Sequence, residues 1–399
     1  MFDDTLFMER AIDLARRSLS FAGTNPPVGA VLVKAGSIIG QGFHKGPGTP
    51  HAEAAALLDA RASAENAGGS LPGTTLYCSL EPCCHSGAGK RTPPCTEAII
   101  RAGISRVVFA SWDPNPLVCG KGAARLREAG VLVEQGLLAD RADELLEAFA
   151  VSIRLRRPFV RIKWAQSLDG RLACRGGASR WITNSAARIQ AHELRSFHDS
   201  VLVGAGTLRA DDPELTVRDA PVRPELGSRQ PVRVVVAGHA PLPMGARVFS
   251  PALVERTIVL APRASSVSAQ CRSAGISVRE VAPTVDGLPD LLEGFRALYS
   301  DGIGSILVEG GSRLITALIA RDLWDALTVF IAPMILGAGR EAVGDLGIAS
   351  PDSGIRLRNA RFEQRDGFMR LDGRNPKGCT ELPKGAPYPE VAEGPCSQD

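Results

Sequence analysis

The sequence predicts an α/β protein built from two domains. Its 399 residues exceed one average domain, since a domain takes about 150 residues. In both halves of the chain, segments whose apolar residues recur with helical periodicity alternate with segments that have strand periodicity. A basic segment that ends in proline, 154–158, separates the halves. We therefore predict one domain over 1–153 and a second over 158–373. A tail follows at 374–399, rich in Pro, Gly and charge without apolar periodicity, and is predicted to be disordered.

The elements of the first domain follow from periodicity and turn residues. In chain order they are a helix over 4–20, strands over 28–34 and 37–42 that turn at Ala35-Gly36, a helix over 51–66, a strand over 74–79, a helix that begins near Pro94, a strand over 105–110, a helix over 121–129, a strand over 131–134 and a helix over 140–152. This order predicts a sheet covered by helices.

The second domain repeats the alternation and ends in strand pairs. Strands are predicted over 159–164, 200–204, 232–237, 257–261, 304–308, 326–332, 357–363 and 368–373, and helices over 185–197, 287–299 and 311–321. Gly204 with Gly206, and Gly310 with Gly311, would place backbone amides at helix starts, where phosphate binds well. Neither pair forms the G-x-G-x-x-G fingerprint, so the usual doubly wound dinucleotide fold is not indicated.

Composition narrows the class of protein. The net charge of +3, with 44% hydrophobic and 22% charged residues, is ordinary for a globular chain. The sequence contains no run of Lys and Arg interleaved with aromatic residues, so it does not predict a groove for nucleic acid. The N-terminus lacks a signal-peptide pattern, and the apolar stretch 327–337 is broken by Pro333 and shorter than the about 20 residues of a membrane span. Nine cysteines, an odd number, favour reduced thiols. We expect a cytoplasmic protein that acts on a small molecule.

A zinc site is predicted in the first domain. His51, Cys83 and Cys95 would supply three ligands and leave the fourth tetrahedral position open for water. Zinc lowers the pKa of bound water from about 15.7 to about 7. Glu53, two residues past His51, would take the water's proton and deliver it to the leaving group. Each residue alone is commonplace, but the H-x-E…P-C combination indicates a zinc deaminase. Cys84 and His85 are two further candidate ligands.

Five further segments are informative together: TNPPVGAVLV (24–33), HAE (51–53), LEPC (80–83), KRTPPC (90–95) and DPNP (113–116). With them the chain resembles one family, the bifunctional deaminase/reductases of bacterial riboflavin biosynthesis, and the resemblance continues to about residue 373. The long separation of Cys83 and Cys95, with its KRTPPC ending, favours this family over cytidine and tRNA-adenosine deaminases, which close with C-x-x-C. Compared with members of that family, the loop between Cys83 and Cys95 carries about three extra residues around Gly87–Lys90.

The resemblance implies a cytidine-deaminase-like three-layer α/β/α domain and a dihydrofolate-reductase-like α/β domain. It implies zinc and NADPH as cofactors and Asn25 as a contact of the pyrimidine. The residues implied to contact NADPH are Gln166, Trp181, Thr207, Asp211, Gly311, Ser312, Arg313, Leu314, Ile315, Thr316 and Ala317. Those implied to contact the substrate are Ser179, Arg195, Leu215, Arg218 and Glu309. Lys163, Asp211 and Glu309 are the candidates for proton transfer during reduction.

The expected activity has two steps. The first domain would release ammonia from the 2-amino group of a diaminopyrimidine ribonucleotide, and the second would reduce the ribosyl group to ribityl with NADPH. Two alternatives stay open, namely another nucleotide or tRNA deaminase with an unrelated C-terminal domain, and a zinc-stabilised binding module without catalysis. Glu53 argues against the second, because a structural zinc site does not need it. We also expect a homodimer or a higher homo-oligomer.

Overall fold

The structure, a computed structural model, describes residues 3–19, 23–62, 71–85, 92–115, 118–218 and 230–378. They form two compact units, of which the first ends at Arg156 and the second begins at Arg157. The expansion predicted at Gly87–Lys90 and residues 379–399 of the predicted tail lie outside the described residues. No described helix is long and apolar enough to cross a lipid bilayer.

The first unit is a five-stranded sheet between two layers of helices. Its strand order is β2-β1-β3-β4-β5, with β1 antiparallel to both neighbours and β3, β4 and β5 parallel. Helices α2, α3 and α4 pack on one face, and α1, with α5 against it, packs on the other. The elements are α1 (Asp4–Ser18), β1 (Gly29–Lys34), β2 (Ser37–Phe43), α2 (Ala52–Ala62), β3 (Thr74–Leu80), α3 (Cys95–Arg101), β4 (Arg106–Ser111), α4 (Lys121–Glu128), β5 (Leu132–Gln135) and α5 (Ala139–Leu155).

Helix α2 lies unusually close to the sheet because β2 presents glycines to it. A Cβ atom on Gly40 would lie 2.4 Å from the carbonyl oxygen of Ala56, and one on Gly42 would lie 2.6 Å from Cβ of Ala55. Since no side chain fits in that space, glycine is required at both positions. This packing sets the position of the start of α2, which carries two residues of the predicted zinc site.

The second unit contains a nine-stranded sheet of order β11-β10-β9-β8-β12-β6-β13-β16-β15. Its strands are parallel from β11 through β13, and β16 and β15 are added antiparallel. The elements are β6 (Phe159–Ser167), β7 (Arg171–Cys174), α6 (Ser185–Ser196), β8 (Ser200–Gly204), α7 (Ala205–Asp211), β9 (Val232–Val236), β10 (Thr257–Pro262), α8 (Ser266–Ser273), β11 (Ser277–Val281), α9 (Leu291–Ser300), β12 (Ser305–Val308), α10 (Ser312–Ala320), β13 (Ala326–Ala332), β14 (Gly339–Glu341), β15 (Arg358–Arg365) and β16 (Phe368–Arg374).

Parallel pairing brings predicted site residues to one edge of this sheet. Strand β12 lies between β6 and β8, with Val308 opposite Ile162 and Leu202. Glu309, the next residue, therefore follows directly beside Lys163 of β6. The carboxyl ends of parallel strands are where open α/β sheets form their clefts. Asn375, the residue after β16, is buried and donates to the carbonyl oxygen of Trp324, so the packed structure of the second unit extends into the first residues of the segment predicted as a tail.

A buried ion pair anchors the start of the second unit. Two nitrogens of Arg157 donate to the two carboxylate oxygens of Asp325 at 2.7 and 2.9 Å, and one of these oxygens also accepts from the amide of Val160 at 2.8 Å. The side chains are 7% and 0% exposed. Removal of one member would leave the other charge buried without a partner.

Asp325→Asn is therefore expected to lower the free energy of unfolding by about 3–5 kcal/mol. Urea denaturation of the full chain measures the change. Glu293→Gln, which removes an exposed pair with Arg263 in the same unit, is the matched control and should cost less than about 1 kcal/mol. An equal, small loss in both variants would contradict the anchoring role.

Two candidate active sites

The three predicted zinc ligands converge on one point in the first unit. Nδ1 of His51 lies 3.5 Å from Sγ of Cys83 and 3.3 Å from Sγ of Cys95. All three donor atoms lie within 4.8 Å of one another. In a tetrahedral zinc site with bonds of about 2.3 Å to sulfur and 2.0 Å to nitrogen, the sulfur and nitrogen atoms are about 3.5 Å apart. The donor set therefore fits zinc as it stands.

Local backbone structure explains this convergence. His51 immediately precedes α2, and its carbonyl oxygen accepts from the amide of Ala55 at 2.8 Å. Cys95 is the first residue of α3, and its amide donates to Sγ of Cys83 at 3.4 Å. The amide of Thr96 donates to the carbonyl oxygen of Cys83 at 3.1 Å. Amides at a helix start favour negative charge, so they favour the thiolate form that binds metal.

Glu53 lies in the first turn of α2 and is only 4% exposed. Burial is the main cause that raises the pKa of its carboxyl group, Cys83 raises it further, and His51 opposes the rise. Among the described residues, the cluster of candidate ligands contains neither Glu53 nor the alternatives Cys84 and His85. Glu53 therefore lies beside the donor set without belonging to it, and its role in proton transfer stays a prediction.

The Glu-Pro-Cys turn is anchored by a residue whose role the sequence did not reveal. Glu81 is 2% exposed and accepts from the amides of Gly120 at 2.9 Å and Ala123 at 3.0 Å, at the start of α4. A Cβ atom on Gly122 would lie 2.1 Å from the carbonyl oxygen of Pro82, so this helix start packs directly on the turn. The only sequence signal for this arrangement is the pair of glycines around Lys121.

A pocket opens beside the cluster. Glu53, Asn25, His44, Asp113 and Asn115 contribute polar groups to it. Nδ2 of Asn25 lies 3.2 Å from Nε2 of His44, whose ring centroid is 5.5 Å from that of the ligand His51. Apolar walls with a few convergent polar groups are typical of small-molecule sites. Sequence reasoning singled out Asn25 but missed His44, which follows β2 without any motif to mark it.

A second, larger cleft lies in the second unit, at the carboxyl edge of β6, β8 and β12. About half of the residues implied for this site line it, namely Lys163, Ser179, Thr207, Asp211, Glu309, Gly311, Ser312, Arg313, Leu314 and Ala317. The starts of α7 and α10 meet there, since a Cβ atom on Gly311 would lie 3.6 Å from Oγ1 of Thr207. Two neighbouring helix starts offer amides to an anionic group.

Glu309 organises the charged end of this cleft. Its carboxylate accepts from Nε of Arg195 at 2.5 Å and from a second guanidinium nitrogen at 3.0 Å, and it lies 3.6 Å from Nζ of Lys163. Burial alone would raise the pKa of Glu309, but the charges of Arg195 and Lys163 and the hydrogen bonds from Arg195 lower it to about 2. The carboxylate is therefore ionised at neutral pH. Arg195 also donates to the carbonyl oxygen of Thr216 at 2.8 Å.

The other implied residues do not line the cleft. Ile315 is part of the core, and Leu215 is 2% exposed. Oγ1 of Thr316 donates to the carbonyl oxygen of Ser312, one turn earlier in α10. Two further side chains have other partners, since Gln166 accepts from Trp164 and Arg218 pairs with Glu214. Trp181 is 66% exposed, with the Arg188 guanidinium 4.4 Å from its ring centroid. Their roles in binding stay predictions.

Comparisons with known proteins agree with both units. Residues 1–111 match the cytidine and deoxycytidylate deaminase zinc-binding region, and residues 158–369 match the RibD C-terminal domain. The riboflavin biosynthesis protein RibD of Aquifex aeolicus is 41% identical over 90% of this chain and 95% of its own. That of Escherichia coli is 38% identical over 84% of this chain and 89% of its own.

Two solved structures resemble the whole chain. Acinetobacter baumannii RibD has a TM-score of 0.80 at 35% identity, with 93% of this chain and 98% of that one covered. The diaminohydroxyphosphoribosylaminopyrimidine deaminase/5-amino-6-(5-phosphoribosylamino)uracil reductase of Thermotoga maritima has a TM-score of 0.78 at 35% identity, with 93% and 98% covered.

Fold and sites define a two-domain enzyme, a zinc-type deaminase joined to a reductase. The chain belongs to the RibD family, the bifunctional deaminase/reductases of riboflavin biosynthesis. The predicted fold class and both predicted enzyme classes are confirmed. The alternative of an unrelated C-terminal domain is wrong, because the RibD C-terminal domain covers residues 158–369.

Proposed function

We propose that the first unit hydrolyses the 2-amino group of 2,5-diamino-6-(5-phosphoribosylamino)pyrimidin-4(3H)-one, with release of ammonia. The second unit then reduces the ribosyl group of 5-amino-6-(5-phosphoribosylamino)uracil to ribityl with NADPH. The observation that carries the proposal is the convergence of His51, Cys83 and Cys95 next to the buried Glu53. The Thermotoga maritima relative is named for these two activities.

For deamination, the three side chains would hold zinc and leave one position open. When bound, zinc supplies a Lewis acid that makes water nucleophilic at neutral pH. Glu53 accepts the proton of the attacking water and passes it to the leaving amino group, which departs as ammonia. Asn25 and His44 line the same pocket with their polar atoms 3.2 Å apart, which supports a role for both in orienting the pyrimidine.

For reduction, a hydride adds to C1′ of the ribosyl group and a proton to the ring oxygen that leaves this carbon. Glu309 carries no proton at neutral pH, because the pKa of its carboxyl is lowered to about 2. It instead holds the ammonium of Lys163 at 3.6 Å within the cleft. Of the three candidates, Lys163 and Asp211 remain, and both line the cleft. We assign the proton to Lys163 because it lies 3.6 Å from the ionised Glu309, which would orient it, as Arg195 would orient Glu309.

NADPH is supported by the charge along α10. Arg313 and Ala317 lie one turn apart on α10, and Arg321 follows the last residue of the helix at the same four-residue spacing. All three line the cleft together with Arg340. The three arginines are exposed and, within the part of the chain that the structure describes, pair with no acidic side chain. One guanidinium group can donate two parallel hydrogen bonds to the oxygens of a phosphate. These arginines suit a dinucleotide with an extra phosphate.

Replacement of Arg313 and Arg321 together by Gln is expected to raise KM for NADPH at least about tenfold and to change KM for NADH much less, because a hydrogen bond to a charged group contributes about 1.5–3 kcal/mol. Steady-state oxidation of both cofactors measures the change. Arg356→Gln, an exposed arginine that does not line the cleft, is the control. An unchanged preference between the two cofactors would contradict a phosphate-binding role for these arginines.

One experiment tests both activities. The full chain is incubated with the diaminopyrimidine nucleotide, with and without NADPH, and the products are identified by mass. We expect replacement of NH₂ by OH in both samples and a further gain of two hydrogens only with NADPH. No change in mass, or turnover of cytidine nucleotides instead, would overturn the proposal. Homo-oligomer formation stays a prediction, which sedimentation of the same sample would measure.

A further inference from the structure

The segment between the two cysteine ligands carries a side chain that reaches the third ligand. Oγ1 of Thr92 lies 3.1 Å from Nε2 of His51. Thr92 stands three residues before Cys95, in the KRTPPC sequence. Neither the deamination chemistry nor the donor set for zinc uses this hydroxyl group.

The two ring nitrogens of His51 have different partners. Both cysteine sulfurs lie near Nδ1, at 3.5 and 3.3 Å, so Nδ1 offers its lone pair to the metal position. A neutral imidazole with its lone pair at Nδ1 carries its hydrogen at Nε2. The hydroxyl oxygen of Thr92 is then the acceptor for that N–H group. Such outer partners fix the tautomer and the ring orientation of metal-binding histidines.

We propose that Thr92 is a positioning residue for zinc, which holds His51 in the Nδ1-binding tautomer and orientation. The inference rests on the proposed binding of zinc by His51, Cys83 and Cys95. It assigns a role to part of the segment between the two cysteines, because Thr92, three residues before Cys95, lies against His51.

The backbone between Thr92 and Cys95 is stiff, which suits this role. Pro93 and Pro94 each fix φ near about −65°, and a residue that precedes proline is restricted to extended conformations. Pro94 has φ −54° and ψ 134°, immediately before α3 begins at Cys95. The hydroxyl group and the thiol are thus delivered to the site by one short, inflexible segment.

Thr92→Val tests the hydroxyl group because valine keeps the branched shape and loses the acceptor. The zinc-loaded full chain is mixed with a chromogenic chelator, and zinc transfer gives the affinity. We expect a loss of about 10- to 100-fold. Thr92→Ser, which keeps the hydroxyl, should stay within a few-fold of the native protein. The cobalt-substituted variants should differ in the same way in their visible spectra, and ¹⁵N spectra should show the tautomer of His51.

Thr74→Val is the matched control. Thr74 is fully buried at the start of β3, away from the zinc ligands, and its hydroxyl has no hydrogen-bond partner in the described structure. Zinc affinity and the cobalt spectrum should not change in this variant. Equal affinities in Thr92→Val and Thr74→Val would overturn the inference, and so would a Ser variant as weak as the Val variant. A native protein that binds neither metal would instead overturn the zinc site itself.

Discussion

Glu53→Gln is expected to lower the rate of deamination about 10²- to 10⁴-fold while the protein keeps its zinc. Glutamine has the same shape but cannot accept the proton of the attacking water or pass it on. Since Glu53 lies outside the three-residue ligand cluster, its replacement leaves the donor set complete. Ammonia release and zinc content, measured on the same preparation, check both parts of the expectation.

Two further variants make this result specific. Glu97→Gln removes an exposed pair with Arg125 in the same unit and should leave deamination unchanged. His51→Ala should lose zinc and activity together. Near-native ammonia release by Glu53→Gln would exclude its proton-transfer role, and a loss of zinc from that variant would make Glu53 a ligand instead.

Glu309→Gln is expected to lower the rate of reduction about 10²-fold or more, with deamination unaffected. The neutral amide lacks the negative charge that attracts the ammonium of Lys163 and the guanidinium of Arg195, and it replaces one of the two acceptor oxygens by a donor. Both cations would therefore shift, and a misplacement of about 1 Å at a reacting group can cost about 10²-fold. Both cations would also stay buried without a counter-charge, so the free energy of unfolding should fall by about 3–5 kcal/mol. NADPH oxidation and urea denaturation measure the two effects.

Asp325→Asn is the matched control for this variant, because it breaks a buried arginine pair of the same unit away from the cleft. It should lose comparable stability but keep its rate of reduction wherever it stays folded. A Glu309→Gln variant that is destabilised yet fully active would show that the pair is structural only.

The stabilisation by Glu309 should depend on pH in a defined direction. The pKa of its carboxyl is lowered from 4.5 to about 2 in the folded protein. A depressed pKa contributes stability above the unfolded value, and that contribution disappears as pH falls toward the folded value. The difference in unfolding free energy between the native protein and Glu309→Gln should therefore shrink between about pH 4.5 and 2.

The parts of the sites that could be predicted from sequence are those carried by local order in the chain. His51 and Glu53 lie at one helix start, and Cys95 begins another, so three chemical groups are placed by short-range structure. His44 and Glu81 have no such signal. Their roles depend on contacts with residues 19 and 39 positions away in the chain, which no local pattern encodes.

The helices and strands of the second unit likewise include some that the sequence predicts and some that it does not. Long periodic segments such as β6 and α6 were predicted, whereas β7, α7, α8, β11 and β14 were missed. The missed elements are 3 to 8 residues long. The missed strands β7, β11 and β14 are partly exposed and contain charged residues, whereas the equally short β8 and β12 are buried, mostly apolar segments that the sequence predicts. The missed helices α7 and α8, of 7 and 8 residues, are too short to show a period and form because the sheet surface stabilises them.

The sequence by itself determined the two α/β halves and the family, and it predicted the cluster of His51, Cys83 and Cys95 that the structure brings together. Periodicity and the spacing of reactive residues are properties of the chain, so they can be recognised without coordinates. Only the tertiary structure decided which partner each polar group finds. It joined Arg195 to Glu309, 114 positions apart, and Thr92 to His51, 41 positions apart. Such pairs form because burial removes the water molecules that a polar side chain would otherwise bind, and a nearby complementary protein group replaces them as its hydrogen-bond partner.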